Sequence, residues 1–167
     1  MSITQRLADL GLTLPQPPQA LGQYHPWVRT GDLIFVSGQI PLLNGVLKYA
    51  GKLGADLDDA DGYQAAKLAG LNVLAQLHAA TQQFETLNSI VRLDGHIQCV
   101  PNWYNHAGVL DGASDLFAQV LNNRAGHART VFGQTTLPLN AAVELVVIAS
   151  VRSPTKSFAA GEGSHFS

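Results

Sequence analysis

Cysteine is nearly missing from this chain of 167 residues: Cys99 stands alone, so no disulfide can close within it. Charge is also scarce, with 13% of residues charged against 46% hydrophobic. The ten Lys and Arg residues are scattered and the net charge is −2, which excludes the basic stripe of a nucleic-acid binder. No apolar run approaches the ~18 residues of a membrane span. Met1 to Arg6 lacks the basic and apolar regions of a signal peptide, so a reducing cytoplasm is expected. No phosphate loop or dinucleotide fingerprint is present, and the histidines His25, His78, His96, His106, His127 and His165 lack metal-ligand spacing. Neither a cofactor nor a metal is therefore expected. What is present is enough apolar sequence for one sizeable core, with so little charge that some surface should be covered by another copy. The chain is expected to be a homo-oligomer.

The patterning predicts an α+β domain. Ser2 to Leu10 carries Ile3, Leu7 and Leu10 at helical spacing, with Ser2 or Thr4 as N-cap and a proline-rich linker behind it. Trp27 to Ser37 reads as a hairpin turning at Thr30-Gly31-Asp32, and Pro41 ends the excursion from the sheet. A long helix follows Asp58, with Ala66, Gly70, Val73, Leu77, Ala80 and Phe84 recurring at three or four residues. Its apolar stripe is wide enough to pack on a sheet and touch something else. Val91 to Val100 is expected as a strand, Tyr104 to Leu121 as a helix, and Arg129 to Thr136 and Ala142 to Val151 as the last strands. That order makes a sandwich with the helices on one sheet face. Residues 1–20 form a leading helix and linker, 21–152 the domain, and 153–167 an appended tail.

Two charges stand out. Arg129 and Glu144 each lie in an apolar, β-branched segment, and a charge carried into a half-buried sheet costs several kcal/mol unless something pairs with it. A guanidinium matches the two oxygens of a carboxylate, and a partly buried carboxylate can orient or deprotonate water. The two residues form either a ligand site or a structural ion pair. Counted by twos, Arg129, Val131 and Gly133 share one sheet face. His127 is expected to be a satisfied histidine that points away from the arginine.

The stretches Leu21-Gly22-Gln23-Tyr24, Val36-Ser37-Gly38-Gln39-Ile40-Pro41, Ala128-Arg129-Thr130, Leu137-Pro138 and Val143-Glu144 together resemble the YjgF/Rid family, in a divergent branch of it. The resemblance covers about residues 21 to 152 and implies a trimer of the chorismate-mutase-like fold, a mixed sheet with two long helices on one face. It also implies an intersubunit cleft where small enamine or imine acids are hydrolysed to 2-keto acids and ammonia without metal or cofactor. On that resemblance Arg129 holds the substrate carboxylate, Glu144 positions water, and Tyr24, Ser37 and the Val131 carbonyl line the site. Gly112 falls where the family's deaminases carry an asparagine.

Simpler roles stand beside these. Tyr24 can be an aromatic lid on Trp27, and Ser37 can bond the turn that Gly38 opens. Cys99 has no basic neighbour in sequence and reads as a small buried hydrophobe. Asp111 to Asp115 reads as a helix start or turn. The competing functions are a module that binds a small carboxylate without turnover and an endoribonuclease, the latter disfavoured by the missing basic stripe.

Overall fold

A computed structural model describes residues 1–20 and 22–152; the expected tail at 153–167, and Leu21, lie outside the described residues. Helix α1 spans Ile3–Asp9, and the Ser2 side chain accepts from the Gln5 N–H as N-cap. Strands β1 (Trp27–Thr30) and β2 (Leu33–Gln39) form the hairpin, and the two-residue strands β3 (Leu42–Leu43) and β4 (Val46–Leu47) form a second one. Then come α2 (Asp59–Ala80), β5 (Leu87–Gln98), α3 (His106–Leu121), β6 (Ala128–Gln134) and β7 (Val143–Val151). The large sheet has the order β1-β2-β7-β5-β6, antiparallel except for the β5–β6 pair, which α3 connects as a crossover.

Strand alternation sets the layers. Along β7, Val143, Leu145, Val147, Ala149 and Val151 are buried while the residues between them are half-buried. The buried set meets Ile34 and Val36 of β2, Leu93 and Ile97 of β5, and the apolar stripes of α2 and α3. Burying one Leu or Ile in such a layer stabilises by about 1.5–3 kcal/mol. Among the described residues no helix lies over the other face, which exposes Val28, Leu33, Phe35 and Phe132.

Several local outcomes differ from the periodicity. α2 stops at Ala80 instead of running on to Phe84, because Gln82, Gln83 and Phe84 all take positive φ; Phe84 still reaches the core. β5 begins at Leu87, before the Val91 expected from apolar content. The β3–β4 hairpin was not expected; its Asn44-Gly45 turn has φ of 52° and 76°, the left-handed conformation those residues tolerate. α1 is anchored to the helix layer by Ile3, Leu7 and an Arg6 Nε bond of 2.6 Å to the Val120 carbonyl.

α2 and α3 cross closely, and Gly112 is the point of contact. A Cβ there would run into the Tyr63 carbonyl oxygen and lie 3.2 Å from the Lys67 nitrogen, both backbone atoms that cannot swing aside. The structure thus overturns a ligand-lining role for Gly112: its missing side chain faces α2. Asp111 to Asp115 is likewise mid-helix, not a turn. Overpacking of this kind costs about 1–3 kcal/mol. Gly112→Ala should lower the urea midpoint accordingly, whereas Gly126→Ala, with nothing within 4 Å, should move stability by no more than about 0.5 kcal/mol.

Candidate functional site

A cavity of about 90 Å³ gathers Tyr24, Ser37, Gly38, Gln39 and Glu144, walled by Pro18, Leu42 and Pro138. Its position follows from an irregularity in β2: Val36 pairs with Val147 but Gln39 with Leu145, so three steps on β2 face two on β7. Ser37 and Gly38 occupy this bulge, a device that re-aims side chains. Gly38 does not open a turn. Its backbone is needed close to Glu144, because an added Cβ would collide with Oε1 and lie 3.0 Å from the carboxyl carbon. The Ser37 hydroxyl donates to the His25 carbonyl at 2.7 Å, so it fastens the chain before β1 while lining the cavity. Glu144 is half-buried, and its carboxylate has no hydrogen-bond or ion-pair partner among the described residues.

Three buried amides hold the cavity walls. Asn72 Nδ2 donates to the carbonyls of Ile40 and Leu42, both at 2.9 Å, and Gln76 Nε2 to the Pro18 carbonyl at 2.8 Å. Gln98 accepts from the Leu137 N–H and donates to Asn140 Oδ1, pinning the turn that presents Pro138. α2 therefore touches the sheet, α3 and both loops, the further contact its wide stripe implied. None of these amides was singled out in the sequence; the available signal was a polar residue inside an apolar helical stripe.

Arg129 is elsewhere. Its Nη1 donates to Asp111 Oδ1 at 2.7 Å and to Ser114 Oγ at 3.1 Å, both on α3. With 30% and 48% of their side chains exposed, Arg129 and Asp111 form a pair of the kind worth at most about 1 kcal/mol. Ser114 is bridged in turn to His127 Nε2 at 3.0 Å, while His127 Nδ1 donates to the Ala125 carbonyl. In the neutral ring the serine hydroxyl then donates to Nε2 and accepts from the arginine. His127 is satisfied, as expected, but it does not point away from Arg129: two residues apart in an extended chain, the two share one face, and both reach Ser114. Nearby, the Tyr63 hydroxyl donates to Asp115 at 2.9 Å; that bond, with burial and the charge of Asp115 and Asp111 adding, raises its pKa above the ordinary phenol value. Cys99 lies 3.7 Å from His106 Nε2, so the structure supplies the basic neighbour missing from its sequence surroundings.

Arg129 and Glu144 do not meet within the chain. Arg129 is in register with Leu93, on the helix face, and Glu144 with His96, on the open face. Two strand spacings and three residue steps also separate them, roughly 14 Å. The partner of Arg129 is Asp111, so the ion-pair alternative between Arg129 and Glu144 is not formed within the chain among the described residues. Val131 lies on the same edge strand as Arg129, in register with Gly95.

The family described as "YjgF/chorismate_mutase-like, putative endoribonuclease" matches residues 4–151. The chain belongs to this family. The protein TCP17 of Trypanosoma cruzi is 31% identical over 152 residues, covering 90% of this chain and 95% of its own length. Atu1372 of Agrobacterium tumefaciens, of unknown function, superimposes with a TM-score of 0.84 at 36% identity, over 90% of this chain and 92% of that one. A protein from Shewanella oneidensis described as a putative endoribonuclease gives 0.87 at 36%, over 90% and 99%. The YjgF gene product of Escherichia coli, at 24% identity and 0.61 over 84% and 98%, shares the fold. In this YjgF-family chain the match includes α1. No helix among the described residues is long and apolar enough to cross a membrane.

The amide anchors carry a direct test. Asn72→Leu keeps the volume and removes both donors: the Ile40 carbonyl keeps only the Leu42 N–H and the Leu42 carbonyl loses its amide partner, each lost bond worth about 0.5–1.5 kcal/mol, partly offset by loss of the unpartnered Asn72 Oδ1. A destabilisation of about 1–2 kcal/mol in urea is expected, with faster amide exchange in residues 40–43; unchanged exchange there would show that the loop is held by something else.

Proposed function

We propose that the protein is a cofactor-independent deaminase of small enamine or imine acids, acting at clefts formed between copies of the chain in a homotrimer. The observation that carries this reading is a pair of half-sites with unspent chemistry. Arg129, on edge strand β6, keeps Nη2 and Nε without partners among the described residues, and Glu144 presents an unpaired carboxylate in a cavity on the other face. One chain cannot bring them together; two chains can. The helix-free sheet face with Val28, Leu33, Phe35 and Phe132 exposed is the surface that a second copy would cover.

The chemistry follows from the groups. Nη2 and Nε offer two parallel donors, so the substrate carboxylate docks there bidentately. Water held by Glu144 of the partner subunit attacks the iminium carbon, and Glu144 takes its proton. That proton passes to the nitrogen of the tetrahedral adduct; as the C–N bond breaks, the adduct hydroxyl gives its proton to Glu144, and ammonia leaves with a 2-keto acid behind. Tyr24 and Ser37 close the cavity around the reacting carbon, and the Val131 carbonyl on the edge strand is a further acceptor for the substrate. No metal or organic cofactor has a role in this scheme.

A second reading, capture of a small carboxylate without turnover, uses the same arginine and is favoured by the half-exposed position of Asp111 on the clamp, which offers Arg129 a resting partner. Ribonuclease action would need phosphate contacts, and the dispersed basic residues of a chain with net charge −2 do not supply them.

The expected result is faster decay of freshly generated 2-iminobutyrate or 2-aminoacrylate, with ammonia released. Arg129→Ala and Glu144→Gln should each lower the rate by at least about 100-fold, with oligomeric state unchanged by light scattering. Refolding the two inactive variants together should restore activity, since some clefts then contain both native residues. Saturable binding without ammonia would replace the deaminase by the binding protein, and activity that survives Arg129→Ala would remove the clamp.

A further inference from the structure

Each partner in the Arg129–Asp111 pair has used one side and kept the other. Both Nη1 hydrogens of Arg129 are committed, to Asp111 Oδ1 and Ser114 Oγ, which leaves the Nη2/Nε edge for a ligand. Asp111 Oδ2 accepts no hydrogen bond from the described residues, and its side chain is 48% exposed. A carboxylate docked on the free arginine edge therefore lies beside a second, fixed carboxylate. Around them, the nearest acidic neighbour, Asp115, is engaged by the Tyr63 hydroxyl.

We infer that Asp111 is a specificity-determining residue which receives the cationic nitrogen of the ligand, so that the site selects zwitterionic α-amino or α-iminium acids over 2-keto acids. This rests on the carboxylate-clamp reading of Arg129 and specifies its substrate class. The argument is one of charge balance. Arg129 and Asp111 together are neutral, and a monoanion placed against them leaves one negative charge uncompensated close to Asp111. A zwitterion adds no net charge: its carboxylate meets the guanidinium and its N–H donors meet Oδ2. A 2-keto acid has no donor to offer and places a carbonyl oxygen there instead, acceptor against acceptor. The same asymmetry lets product leave, because hydrolysis replaces the cationic nitrogen by that oxygen. His127 bonds Ser114, which accepts from Nη1 of Arg129, and so steadies the guanidinium.

The matched probes are 2-aminobutyrate and 2-oxobutyrate, which differ at the α-position alone, titrated by calorimetry into the full-length protein. The wild type should bind the amino acid at least tenfold more tightly. Asp111→Asn, which retains size and an acceptor oxygen, should bring that ratio close to one by weakening the amino acid and strengthening the keto acid; thermal melting checks that it folds. A ratio unchanged in Asp111→Asn, or wild-type preference for the keto acid, overturns the assignment. Arg129→Ala separates the two claims: if it abolishes binding of both probes while the Asp111→Asn ratio stays at the wild-type value, the clamp stands and the role of Asp111 falls. If Arg129→Ala changes neither affinity, or if neither probe binds the wild type, both fall together.

Discussion

Successive side chains of a β-strand point to opposite faces, and with α2 and α3 covering one face and no described helix on the other, that alternation separates Arg129 from Glu144. Arg129 is in register with Leu93, on the covered side; Glu144 is in register with His96, on the open side. No rotamer change can carry either through the sheet. The consequence is architectural: a chemistry that needs both groups has to be assembled from two chains, and the edge position of β6 leaves Arg129 at the border of its own molecule. The scarcity of charge across the chain and the apolar residues on that face agree with the assembly proposed above.

The loops around the cavity depend on a second constraint. A buried amide donor needs an acceptor, and the NH2 groups of Asn72 and Gln76 on α2 find theirs in loop carbonyls, while Gln98 on β5 holds the Leu137 N–H and the Asn140 side chain. The helix layer and the sheet thus support the loops through directional contacts that apolar packing cannot supply. Asn72 reaches two carbonyls on either side of Pro41, which has no N–H of its own to give. The close crossing at Gly112 keeps α2 and α3 in the register that these contacts require.

Much of this was legible in the residues. The alternation in Val143–Val151 marks a sheet buried on one side, Thr30-Gly31-Asp32 marks a turn, and Ser2 caps the first helix as its hydroxyl allows. The motifs around Ser37, Arg129 and Glu144 pointed to the family. Asn44-Gly45 was also a readable turn, passed over because its flanking strands have two residues each. What could not be read is relative placement. Alternation is a property of one strand, whereas the face shared between strands depends on register and on bulges such as that at Ser37-Gly38. For the same reason Asp111 and Ser114, eighteen and fifteen residues before Arg129, became visible as its partners only once α3 had a position.

The contact between Gly38 and Glu144 has an evolutionary side. The two positions are far apart in sequence but occupy one volume: the carboxyl group fills the place where a side chain at 38 would begin. A side chain at 38 would push the carboxyl group, the mobile end of Glu144, out of the place it holds here. A descendant that shortens residue 144 frees position 38 to accept a side chain, and a glutamate that later returned would have to settle in another rotamer. The acid could come back while its position in the cavity did not, with the record left in the bulge.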